Sequence, residues 1–231
     1  PSGISIFSVT DSQLPILQIE FLFEGGKAKQ SIPGTSYYAI KMLAEGSSTK
    51  TAQQISFGFE SLGSFVEFGS GIDHAFVKVY CQSSRALETL ELLEEVLNNP
   101  VFPEDNFEVL KQIRTQQVKQ QQAKNSQVAT ARFNQMLFGS DHPVGSILTT
   151  EEAMNCKLSH VQNFYEKQLF TKPQVFITGH VTADVLQHLQ GLISSLSTTA
   201  EQQPTVSPQP KYVFDSSEIQ DSQQVSFRMG M

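Results

Sequence analysis

The 231-residue sequence predicts an α+β domain, with an antiparallel β-sheet covered by helices. Three observations predict it. Short segments near both ends of the chain alternate apolar and polar residues at period two, as half-buried strands do. Longer segments between them repeat apolar residues every three or four positions, as amphipathic helices do. Gly, Pro and Asn stand at the joints, where the backbone changes course. Strand pairs interleaved with helices, with no repeat of 20–50 residues, give a layered α+β arrangement.

The elements follow in order. Ile4 to Val9 alternates, as does Leu14 to Phe23, and Asp11-Ser12-Gln13 separates them, so a hairpin or neighbouring strands are expected. Gly25-Gly26 ends the second strand. Ile32-Pro33-Gly34 leads into a helix with Ser36 as its expected N-cap and Gly46 as its stop. Thr51 to Leu62 forms a second helix closed by Gly63, and Ser64 to Phe68 and His74 to Tyr80 are strands joined through Gly69-Ser70-Gly71. Arg85 to Asn98 carries Leu87, Leu90, Leu93, Val96 and Leu97 at helical spacing and ends at Asn99-Pro100. Pro103 opens a helix reaching Gln122, and Ser126 to Phe138 is another, stopped by Gly139. A loop follows His142-Pro143-Val144-Gly145, then a helix from Ser159 to Gln168, a strand from Pro173 to Gly179 and a helix from Ala183 to Ser195. Thr198 to Pro210 is rich in Ser, Thr, Gln and Pro and suits a linker or exposed loop. Lys211 to Phe214 and Gln224 to Met229 are expected as final strands. Residues 1–210 are thus expected as one domain and 211–231 as linker strands.

Composition narrows the function. Sixteen Lys and Arg against 23 Asp and Glu give a formal net charge of −7, which argues against non-specific nucleic-acid binding. The cations between Lys111 and Arg132 are spread among glutamines, as on a solvated helix face. No apolar run is long enough to span a membrane. Two cysteines, Cys81 and Cys156, are too few for a disulfide framework and lack metal-site spacing. The glycines at 25–26 and at 69 and 71 lack the context of a phosphate loop. His74, on a strand beside Ala75 and Val77, and His142, before Pro143, are expected to be structural. His160, His180 and His188 form no ligand cluster in the sequence. The chain opens at Pro1 in an expected strand, so a removed upstream segment is expected. If that segment was a bacterial signal peptide, the compartment is periplasmic or extracellular, and otherwise cytoplasmic.

A series of segments carries a resemblance over nearly the whole chain. They are Phe23-Glu24-Gly25-Gly26, Gly34 to Gly46, Phe59-Glu60-Ser61-Leu62-Gly63 and Asp73-His74-Ala75, followed by Pro100-Val101-Phe102-Pro103 with Phe107, and Phe138 to Gly145. In order and spacing they resemble the first half of an insulinase-type (inverted zincin) metallopeptidase, similar to processing peptidases and their bacterial relatives. Gln223 to Phe227 resembles the start of that family's second, homologous domain.

The resemblance locates the family's chemistry and shows it changed. The family signature is His-x-x-Glu-His followed by Met-Leu and a Gly. Here those positions read Tyr37, Tyr38, Ala39, Ile40 and Lys41, with Met42, Leu43 and Gly46 in register. Residues at i and i+4 share a helix face, which lets two imidazoles reach one metal while the Glu polarises its water. A protonated phenol at Tyr37 is a poor zinc ligand, Ile40 offers no base, and Lys41 puts an ammonium where a dication belongs. The family's third ligand, a Glu, falls at Gln117 by two independent counts, forward from Lys41 and back from His142. Gln117 shares a helical face with Leu110 and Ile113, and that helix is expected to meet the Tyr37 helix. Tyr37 and Ile40 are equally what an amphipathic helix places in its core.

The resemblance therefore implies no catalytic residue, no metal and no cofactor in this chain. It implies a bacterial, non-catalytic subunit that forms a heterodimer with a zinc-containing homologous peptidase and helps enclose extended peptide substrates. Strand addition at a sheet edge would suit such peptides. The alternative it implies is a structural subunit, like the respiratory-complex core proteins of similar sequence.

Overall fold

The structure, a computed structural model, describes residues 5–11, 13, 15–196, 207, 208, 210, 215, 216 and 224–230. It divides into two compact units: residues 1–107 with 157–201, and residues 108–156 with 202–231. The chain thus leaves the first unit, builds most of the second, and returns.

The first unit is built on a five-stranded sheet of order β1-β5-β2-β4-β3. Its strands are β1 (Ser5–Thr10), β2 (Ile16–Phe23), β3 (Phe65–Ser70), β4 (Ala75–Gln82) and β5 (Gln174–Gly179). Their alternation resolves into two faces. Leu17, Ile19, Phe21 and Phe23 of β2, Val77 and Val79 of β4, and Val175 and Ile177 of β5 are buried together on one. Glu20 and Lys78, directly opposed across β2 and β4, pair at 3.4 Å on the other. Helices α1 (Thr35–Met42), α2 (Ala52–Ser61), α3 (Ala86–Asn98), α7 (Leu158–Phe164) and α8 (Ala183–Leu196) also belong to this unit. Leu90, Leu93, Val96 and Leu97 of α3 and Leu189, Leu192 and Ile193 of α8 are buried. Those two helices are further joined by Asn98 and Ser195, whose side chains exchange hydrogen bonds at 3.0 and 3.2 Å.

Two expectations about the sheet are corrected. β1 and β2 are not neighbours, because β5 lies between them, parallel to β1 and antiparallel to β2. The sheet is consequently mixed, with one parallel pair at its edge. The backbone explains how the chain passes β5. Asp11 N donates to Gly179 O at 2.8 Å, and His180 N donates to Ile16 O at 3.3 Å. Gly179 has φ +113°, and a side chain there would collide with the Ile16 carbonyl, so only glycine allows so close a crossing. The second correction concerns Gln224 to Met229, which alternates like a strand but pairs with none among the described residues. Val225, Phe227 and Met229 are exposed, while Arg228 Nε donates to Thr130 Oγ1 at 3.1 Å. A period-two pattern makes a strand only where another strand accepts its backbone groups. Lys211 to Phe214 lies outside the described residues.

In the second unit, α4 (Glu104–Gln122), which begins in the first unit, is followed by α5 (Asn125–Phe138) and α6 (Thr150–Asn155). Helix α6 falls where the sequence predicts a loop. It starts at a capping box in which Thr149 Oγ1 accepts from Glu152 N at 3.1 Å and Glu152 Oε2 accepts from Thr149 N at 2.8 Å. The expected helix from Ser159 to Gln168 is α7 continued by a π-helical turn over Tyr165–Leu169.

Cys81 and Cys156 are both buried, and they are not joined in a disulfide. Burial pushes the Cys81 thiol up to about 11, against a hydrogen bond from Thr89 that pulls it down. Burial likewise raises the Tyr165 phenol to about 12, with Glu166 adding to the effect. That phenol donates to Leu97 O at 2.9 Å. Both groups hold their protons more tightly when folded, so the unfolded chain releases protons first as pH rises. Stability is therefore expected to fall once pH passes about 9, where the unfolded thiol ionises, and more steeply past about 10, where the unfolded phenol follows. Urea midpoints measured at pH 8, 9, 10 and 11 check this. A Cys81→Ala, Tyr165→Phe variant is expected to flatten the decline.

Candidate functional site

The site begins with the glycine that opens α1. Gly34 has φ +88° and serves as N-cap, where the sequence reading placed Ser36. Ser36 lies inside the first turn, and its hydroxyl donates to Gly25 O at 2.7 Å and contacts the Ser70 hydroxyl. A buried hydroxyl needs such partners, so Ser36 ties α1 to the ends of β2 and β3. The glycines of that junction serve close approach. Gly26 N donates to Asp73 O at 3.2 Å and Lys27 N to Gly71 O at 3.0 Å, docking the 26–29 turn on the β3–β4 hairpin. A side chain at Gly26 would collide with the backbone of Asp73 and His74. At the far end, α1 passes into a 3-10 turn over Leu43–Glu45 and stops at Gly46, φ +154°. Glu45 Oε2 accepts from Asn106 Nδ2 at 2.8 Å, fixing that end against the start of α4.

Between these anchors, Tyr37, Ile40 and Lys41 occupy one helix, as the spacing requires. Ile40 is fully buried, while Tyr37 and Lys41 are half-buried one turn apart. The fully buried aromatic is the neighbouring Tyr38, whose ring stands edge-on to Tyr37 at 5.6 Å and to Phe107 at 5.5 Å. The sequence signal for it was available: Tyr38 precedes Met42 by four residues, and Met42 is fully buried too. Gln117 lies on α4 in the second unit. It is exposed, and its Oε1 accepts from Arg114 Nη1 at 3.3 Å. On α4 the buried positions are Phe107 and Val118, whereas Ile113 is 48% exposed. The face shared by Leu110, Ile113 and Gln117 is therefore not that helix's buried stripe.

The donor set presented by α1 is a phenol, a branched alkyl group and an ammonium. None is a metal ligand of the usual kind at neutral pH, and none is a carboxylate that could take a proton from water. Zinc does not fit these residues. Among the described residues, no three His, Cys, Asp or Glu side chains gather in a geometry that could hold a metal ion. Three of the five histidines engage near neighbours. His142 Nδ1 accepts from Val144 N at 3.1 Å, with its ring stacked on Phe138 at 5.0 Å. His160 Nδ1 accepts from Lys157 N at 3.3 Å, and His188 pairs with Glu94 at 3.1 Å.

A groove of about 560 Å³ opens beside the end of α1, between the Glu45–Gln54 loop and Val101, Pro103 and Asn106. Its hydroxyls are already engaged. Ser47 Oγ accepts from Lys50 N at 3.1 Å, Thr49 Oγ1 donates to Glu95 Oε1 at 2.9 Å, and Thr51 caps α2 through Gln54 N at 3.3 Å. The loop is a helix-capping structure.

With this geometry in hand, two comparisons bear on the chain. A family model described as Insulinase (Peptidase family M16) matches residues 25–151, from the glycine after β2 to the first turn of α6. The structure is similar to that of a peptidase M16 inactive domain from Pseudomonas fluorescens, with a TM-score of 0.81 and 21% identity, covering 90% of this chain and 52% of that one. It is also similar to a protease from Helicobacter pylori, with a TM-score of 0.76 and 16% identity, covering 89% of this chain and 51% of that one. The chain spans about half the length of these solved structures. At such identities the likeness is one of fold.

Proposed function

Because this chain belongs to the insulinase family, peptidase family M16, we propose that it is a non-catalytic member acting through a partner. It pairs with a zinc-containing homologue and contributes walls and peptide contacts to a shared chamber. One observation carries the reading. Helix α1 has a glycine entry, a Ser36 tie and a Gly46 exit, and in our reading Tyr37, Ile40 and Lys41 stand at the positions where the family's chemistry requires His, Glu and His. A helix of the family's fold without those reacting groups favours a role for the surface over a role in bond cleavage.

The test is co-purification of the native full-length protein, mass spectrometry of what accompanies it, and a peptidase assay with and without this chain. A homologue bearing His-x-x-Glu-His, with activity that falls when this chain is removed, supports the reading. A partner fully active alone on its own peptides overturns it in favour of a structural subunit. The interface should bury on the order of 1,000 Å² or more.

A metal measurement accompanies it. After dialysis against trace zinc, elemental analysis is expected to find far less than one equivalent per chain. About one equivalent, lost on substituting Tyr37 and Lys41, would contradict the assignment of these positions. Tyr37→His, Ile40→Glu, Lys41→His and Gln117→Glu together are expected to raise zinc affinity over the parent chain, though the residues that orient such ligands also matter.

A further inference from the structure

The outer edge of β1 lacks the features that keep strands of different molecules apart. β1 ends the sheet, and among the described residues no strand lies beyond it. Ser5, Phe7, Ser8, Val9 and Thr10 are exposed, and Ile6 is half-buried. Sheet edges open to water are usually blunted by charge, proline or a bulge. β1 reads Ser-Ile-Phe-Ser-Val-Thr, with no charged residue, no Pro and no Gly. Its register with β5 is unbroken from Ser5 to Thr10, so no bulge twists it away. The opposite edge differs: β3 carries Glu67, and the contact between the Ser70 and Ser36 hydroxyls ties its end to α1. An apolar strip lies beside the open edge. Phe7, 52% exposed, stacks on Phe176 at 5.0 Å, and Val9, 68% exposed, follows on the same face.

We propose that β1 pairs antiparallel with β1 of a second copy of this chain, joining two five-stranded sheets into one continuous sheet. A two-fold axis sets each strand against itself, so a charged edge would meet its own charge, and the neutral β1 does not. With the axis normal to the sheet, opposed residues share a face, which leaves two central registers. One sets Phe7 opposite Phe7. The other sets Ser8 opposite Ser8 and Phe7 opposite Val9. In neither does Asp11, the nearest charge along the chain, meet another charge. Both carry the Phe7–Phe176 strip across the seam, where aromatic and β-branched cross-strand pairs are favourable. One strand pair is small beside a standard interface, so Kd is on the order of 10–100 μM. The pairing is independent of any zinc-containing partner.

Sedimentation velocity of the 231-residue chain, from about 5 to about 500 μM, reads the association. A monomer–dimer equilibrium is expected, tightening as salt rises because each copy carries a formal net charge of −7. Hydrogen exchange locates the seam: amides of β1 are expected to slow with rising concentration while those of β3 stay unchanged. Val9→Lys is expected to weaken the dimer about ten-fold or more. Phe65→Lys, at a site 61% exposed on β3, is the matched control and is expected to leave the dimer unchanged. A monomer throughout the range overturns the proposal, as does growth beyond the dimer, which a closed two-fold contact forbids. So does a dimer that Val9→Lys leaves intact at unchanged melting temperature, or that Phe65→Lys weakens equally. Should Val9→Lys fail to fold, exchange in the parent chain decides it: slowing at β1 supports the pairing, and its absence there overturns it.

Discussion

Tyr38→Ala is expected to cost about 3–5 kcal/mol, the range for emptying a large buried aromatic site. The ring is fully buried and packs edge-on between Tyr37 and Phe107, with Phe107 itself 1% exposed. Removing it leaves a cavity where α1 meets the first turn of α4, and rigid neighbours on the sheet side cannot collapse to fill it. Tyr37→Ala, half-buried on the same helix, is expected to cost only about 1 kcal/mol. Urea denaturation followed by circular dichroism measures both. A Tyr38→Ala loss below about 1 kcal/mol, or a larger loss for Tyr37→Ala, would contradict this placement of the two rings.

Gly25→Ala carries the second large effect. The added methyl would meet the carbonyl oxygen of Leu169, with the Leu169 Cα and carbonyl carbon both at 2.8 Å. All three are backbone atoms, so no side-chain rotation relieves the contact, and β2 must shift against the π-helical turn that ends at Leu169. Such a shift would also strain the flanking bonds, Glu24 N to Thr171 O at 2.8 Å and Ser36 Oγ to Gly25 O. The expected cost is about 3 kcal/mol, the upper end for overpacking. Gly191→Ala in α8 is the matched control, since nothing lies within 4 Å of its added carbon. There a helix-interior alanine is expected to stabilise by roughly 0.5–1 kcal/mol. Opposite signs at the two sites, read as urea midpoints, are the expected result. A neutral Gly25→Ala would mean that the β2 end and the Leu169 turn do not pack as closely as described.

Local pattern carried most of the elements. Thr51 and Gly63 bound α2 as read, because a side-chain cap and a left-handed glycine, φ +65°, act within a few residues of the helix they limit. Helix α6 escaped because its six residues are too few to show a period, although the Thr149–Glu152 capping box was legible. The placement of β5 between β1 and β2 lies beyond local pattern: residues 174–179 pair with residues 5–10 and 17–22, and no spacing within either segment encodes that. Gly179 was its one visible trace. At the site, helical spacing puts Tyr37, Ile40 and Lys41 on α1, and of the adjacent tyrosines only Tyr38 shares a stripe with an apolar residue four positions on, Met42. Burial separates them because Tyr38 points toward Phe107 and Tyr37 lies one helical step, about 100°, around the axis.

The position of β5 also governs the order in which this protein comes into being. During synthesis β1 leaves the ribosome before β5, its partner strand, which follows only about 170 residues later, counted from the register Ser5 to Gln174. Until then β2 keeps one hydrogen-bonding edge open, and Phe7 and Val9 have no sheet to lie on. Pairings so distant in sequence are slow to form, and an unfilled strand edge invites strands from other nascent chains. Expression conditions that slow initiation, and so space the ribosomes on one message, are the ones under which the first unit should reach its native sheet in highest yield.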